Sequence, residues 1–91
     1  MEKEHVISDE VIEQAQHEIF KGREWLAFNT ISYFLDKGDI YFFKTKDEAI
    51  EFSDNNISEF DDYRVINIKS IQDFILQIPY GNLGEKELPI I

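Results

Sequence analysis

No cysteine occurs among the 91 residues of this chain, so a disulfide scaffold, thiolate chemistry and a Cys-ligated zinc site are all excluded. Any fold must stand on packing alone. Only two prolines and four glycines are present, and no phosphate-cradling G-x-x-x-x-G-K, no G-x-G-x-x-G and no G-x-S-x-G elbow can be read. Basic residues are scarce too: nine Lys and Arg face nineteen Asp and Glu, a net charge of −10. Such a chain is repelled by phosphates over a Debye length of about 8 Å, which speaks against direct nucleic-acid contact and against an anionic membrane surface. No apolar run approaches the ~20 residues of a membrane span, and Met1-Glu2-Lys3-Glu4-His5 has neither the basic nor the apolar region of a signal peptide. A cytoplasmic protein is the expectation.

What is present is apolar bulk. Hydrophobic residues make up 43% of the chain, including eight Phe, four Tyr and one Trp, enough burial to offset chain entropy in one core and too short a chain for two. The expected organisation is therefore a single domain over residues 1–91, with loose residues 1–7 and a tail at 81–91.

Ser8 followed by Asp9 and Glu10 forms a cap with acids on the positive end of a helix dipole, and Gly22 supplies a stop, so a helix is expected over residues 9–21. Its buried stripe is Val11, Ile12, Ala15, Ile19 and Phe20, with Glu13, Gln14 and His17 on the wet side. Residues 25–35 read two ways. Strand-favouring Thr30, Ile31, Tyr33 and Phe34 before the turn signal Asp36-Lys37-Gly38-Asp39 predict a hairpin with the strand at 40–43, and Gly38 equally suits the end of a short helix over 30–37. The hairpin is the preferred reading.

Thr45-Lys46-Asp47-Glu48 matches a capping box, which starts a helix at Lys46 and assigns the Glu48 carboxylate to the Thr45 amide. Ala49, Ile50, Phe52 and Ser53 then fall on one side, and Asp47, Glu51 and Asp54 on the other. Residues 63–69 alternate as a half-buried strand. Ser70 caps a final helix with a stripe of Ile71, Phe74, Ile75 and Ile78, ended by Pro79. The order predicts a small α+β domain: a sheet of about three strands, a hairpin plus one, packed with about three helices on one face.

Each candidate for chemistry meets an obstacle. Residues 54–65 set Asp54, Asn56, Ser58, Phe60 and Asp62 at alternate positions of a calcium loop, but Glu59 stands where a glycine must turn and Val65 where a bidentate Glu is required. His5 and His17 lack partners at metal-ligand or triad spacing and are expected exposed, His5 in a frayed terminus. Gly81-Asn82-Leu83-Gly84 spells a KH-type GxxG, yet Pro79 precedes it and Glu85, Lys86 and Glu87 follow. Carboxylate pairs on open surface keep pKa values too low for acid catalysis near neutrality. No catalytic residue, metal ligand or cofactor is assigned.

The feature with content is a run of charge. Asp47, Glu48, Glu51, Asp54, Glu59, Asp61 and Asp62 follow one another with no Lys or Arg among them, interleaved with Ile50, Phe52, Ile57 and Phe60. With Glu48 given to the cap, Asp47, Glu51, Asp54, Glu59, Asp61 and Asp62 are the expected binding surface for a basic protein partner. The function this implies is a non-catalytic acidic protein-binding module, in its sharpest form an inhibitor of a nucleic-acid-binding protein. The alternative is a structural or oligomerising domain that self-associates through an exposed aromatic sheet face, its acidity serving solubility. Trp25, Phe28, Tyr33, Phe34, Tyr41, Phe42 and Phe43 exceed what one face of such a sheet can bury, because Phe42 and Phe43 must point to opposite sides, so either a second layer (helices on both faces, or the N-terminal helix crossing the sheet) covers the surplus or an aromatic patch is left exposed.

Overall fold

The computed structural model describes residues 5–78 and is a small α+β domain with three helices and five strands in two sheets. The expected tail at 81–91, its apolar end Leu88-Pro89-Ile90-Ile91, the GxxG sequence and the Pro79 stop lie outside the described residues.

The main sheet is built on β2 (Trp25–Asn29), flanked by β4 (Ile40–Phe43) and β5 (Tyr63–Asn67), both antiparallel to it. Leu26 lies opposite Phe42 on one side and Ile66 on the other. Because β4 and β5 run the same way with β2 between them, the chain joining them must cross the sheet, and α2 (Lys46–Asn55) makes that crossing. A second, two-residue parallel pair forms between β1 (Val6–Ile7) and β3 (Phe34–Leu35).

Strand alternation decides the layers. Leu26, Phe28, Ile40, Ile66 and Ile68 join Val11 and Ala15 of α1 (Asp9–Phe20) and Phe74 of α3 (Ile71–Gln77) in one core. Ala27, Tyr63 and Val65 meet Ala49 of α2 in a second. The expectation of helices on one face is thus corrected: apolar residues occur at both parities of the strands, so both faces must be covered. Of the seven aromatics from Trp25 to Phe43, Tyr33, Phe34 and Tyr41 are exposed and the other four are covered to different degrees. Phe28 is buried, Trp25, Phe42 and Phe43 are half-buried, and Phe52 of α2 packs among Tyr41, Phe43 and Tyr63 at centroid distances of 4.6, 5.5 and 5.1 Å. A fully buried Phe such as Phe28 contributes roughly 1.5–3 kcal/mol relative to leaving it exposed.

The helix ends follow local chemistry. The Ser8 hydroxyl accepts from the Val11 amide, and α1 closes at Gly22, whose φ of 87° suits a residue without Cβ. Ser70 accepts from the Asp73 amide at the start of α3. In α2 the Thr45 hydroxyl accepts from the Glu48 amide as expected, but the Glu48 carboxylate returns to the Thr45 hydroxyl at 3.2 Å instead of to its amide.

Two local expectations fail. Residues 25–35 form neither one hairpin strand nor a helix at 30–37. β2 stops at Asn29, residues 30–33 turn away, β3 pairs with the N-terminal strand, and a 3₁₀ turn at Lys37–Asp39 leads into β4. β2 and β4 are antiparallel neighbours, but through a ten-residue excursion in place of a tight turn. The N-terminal residues are also tighter than expected: His5 is only 5% exposed, its Nδ1 lies 2.7 Å from the Ser32 carbonyl, and its ring meets Phe28 edge-on. A carbonyl only accepts, so Nδ1 carries the hydrogen. Val6 and Ser8 donate their amides to Tyr33 and Leu35, which fixes residues 5–8 by pairing that no local sequence pattern announces.

Candidate functional site

α2 places Ala49 and Ser53 against the sheet and leaves Asp47, Glu51 and Asp54 exposed on its outer side, as the three- and four-residue spacing requires. Ser53 is fully buried and donates to the Tyr63 carbonyl at 2.6 Å, so the helix is fastened to β5 by a polar bond as well as by packing. The stripe is therefore carried on a fixed scaffold. Other acids are occupied differently: Glu18 pairs with Arg23 at 2.8 Å, and Glu10 with Lys37 at 3.1 Å, on the α1 side of the molecule.

The remaining three predicted residues lie in the loop between α2 and β5, and they do not form one surface with equal exposure. Glu59 is exposed, whereas Asp61 and Asp62 are half-buried. The cause is Asn29, the last residue of β2, which is 2% exposed and bonded on every polar edge. Its Nδ2 donates to Asp61 Oδ1 at 2.8 Å, and its Oδ1 accepts from the amides of Ile31 and Asp62 at 3.2 Å each. Two backbone N–H groups on one side and a carboxylate on the other leave only one orientation for the amide. Thr30 adds its amide and hydroxyl, both to the Asp62 carbonyl, at 2.9 and 2.8 Å. Asp61 is therefore a structural carboxylate, and Asp62 contributes mainly backbone.

The same bonds create a feature that the sequence reading missed. Beyond the ends of β2 and β5, Asn29 and Thr30 tie the start of the 30–33 segment to Asp61 and Asp62 of the 58–62 loop. The Ser58 amide donates to the Asp61 carbonyl at 2.9 Å and the Ser58 hydroxyl accepts from the Phe60 amide at 3.2 Å, so Glu59 and Phe60 occupy the tip of a closed turn. Ile57 is 59% exposed, Phe60 75% and Ile31 54%. Ile50 and Phe52, interleaved in the same acidic run, are half-buried under α2. The discriminating signal was periodicity: Ile50 and Phe52 sit on the inward side of a helix, whereas Ile57 and Phe60 follow the Asn55-Asn56 break and belong to no buried stripe.

Tyr63, which follows this loop, is buried and donates its hydroxyl to the Gly38 carbonyl at 3.1 Å. Its pKa is pushed up to about 12, mainly by burial, with Tyr41, Asp61 and Asp39 adding to the effect.

A shallow groove of about 580 Å³ on the outer side of α1 is lined by Glu10, Glu13, Gln14, His17, Lys21 and Lys37. All but Gln14 are exposed, His17 as expected, and both signs of charge are present, so no environment there selects one ligand charge. Among the described residues, no group of three or more His, Asp or Glu is placed to hold a metal ion, and no helix is long and apolar enough to cross a membrane. No family model matches the chain, and no curated protein or solved structure shows significant similarity to it.

Proposed function

We propose that this chain is a non-catalytic acidic protein-binding domain that docks an anionic surface onto a basic partner protein. The observation that carries the reading is the exposure of Asp47, Glu51 and Asp54 on α2, followed by Glu59, within a run of sixteen positions that contains no cation. Like charges at i, i+4 spacing lie ~5–6 Å apart and repel, so such a stripe costs the isolated helix a few tenths of a kcal/mol. A partner rich in Lys and Arg offsets that cost on binding and is steered to the surface from a distance.

In the sharpest form of the proposal, the partner is a nucleic-acid-binding protein and this chain is its inhibitor. The carboxylate spacing is near the about 7 Å between successive phosphates of a strand, so the stripe suits a groove that otherwise takes a polyanion backbone. Asp61 drops out of the contact set because its carboxylate faces Asn29.

Affinity capture from the native host, with washes from about 50 to about 500 mM salt, tests the proposal. The expected result is a basic protein that elutes steeply with salt and is lost when Asp47, Glu51, Asp54 and Glu59 are together replaced by Lys in a chain that still folds. A partner retained unchanged across that range, or captured equally by the reversed chain, would remove the proposal.

A further inference from the structure

We draw no further inference here: the strongest candidate, the exposed apolar side chains of Ile31, Tyr33 and Phe34 on the excursion between β2 and β4, carries nothing because nothing in the structure shows what covers them.

Discussion

Asp47, Glu51 and Asp54 project from the outer side of α2 into solvent, whereas Asp61, a few residues on in the same acidic run, turns inward to the side-chain amide of Asn29 at 2.8 Å. The difference arises from the backbone. In α2 the helix satisfies its own amides and carbonyls, the Thr45 cap takes one of the free amides at its start, and the side chains of Asp47 and Glu51 stand exposed on its outer side. The 56–62 loop has no ladder of its own, so its polar groups must find partners, and Asn29, Thr30 and the Asp61 carboxylate supply them. A carboxylate on a helix surface is therefore available to a partner in a way that a carboxylate in a pinned loop is not.

The largest break in this contrast is expected from Asn29→Ala. It removes three hydrogen bonds from a 2%-exposed site and leaves the Ile31 and Asp62 amides and the Asp61 carboxylate short of a partner. Urea unfolding should show a loss of about 2–4 kcal/mol, set against about 0.5 kcal/mol or less for Glu51→Gln on the exposed stripe. Similar losses from both would mean that the loop is not held from Asn29.

A smaller effect sharpens the same contrast through Tyr63. Its folded pKa of about 12 lies above the ordinary 10, so the native state holds the phenolic proton more tightly than the unfolded chain does. The stabilisation is present in full below pH 10, declines as pH rises through 10 to 12, and is absent above; two units correspond to about 2–3 kcal/mol over the whole window. Phenolate absorbance followed against pH, with stability measured at several points, checks the sign. Burial is the main cause of the shift and Asp61 one of the lesser ones, so Asp61→Asn should move the titration of Tyr63 downward. Glu51→Gln should leave it in place.

Asp61→Asn also has a stability cost of its own, about 1 kcal/mol. Its remaining oxygen still accepts from Asn29, and what is lost is the charge assistance and the long 3.5 Å bond that Oδ2 accepts from the Ser58 hydroxyl. Differential scanning calorimetry at neutral pH reads this directly. A neutral outcome would return Asp61 to the set of residues free for a partner.

How far these relations could be read in advance depends on their range along the chain. The three caps at Ser8, Thr45 and Ser70 involve partners three residues away, and the three helices start where those residues predict. The outward side of α2 followed from 3.6-residue periodicity alone. Asn29 stands thirty-two residues from Asp61 and His5 twenty-seven from Ser32, and neither pairing leaves a local trace in residue type or spacing. The same limit explains residues 25–35: strand propensity was visible, but the exit of the chain at Thr30 is set by Asp62 and the end of β3 by Ser8. The candidate surface divides accordingly, its helical half legible and its loop half not.

The smallest effect is the one on which the proposed docking surface depends. Glu51→Lys removes the i, i+4 repulsion from Asp47 and sets a cation four positions after it, the favourable order for a helix, so α2 should gain a few tenths of a kcal/mol. Thermal melts of the variant and of the unsubstituted chain should coincide at high salt, with the gain visible only at low salt where screening is weak. If the substitution instead lowered stability by more than about 1 kcal/mol, Glu51 would have a structural partner, and the helical stripe would be bound to the fold in the same way as Asp61. A neutral or slightly stabilising result means that the fold does not require this negative charge, which leaves binding or solubility as its use, and the salt-dependent capture of a partner separates those two.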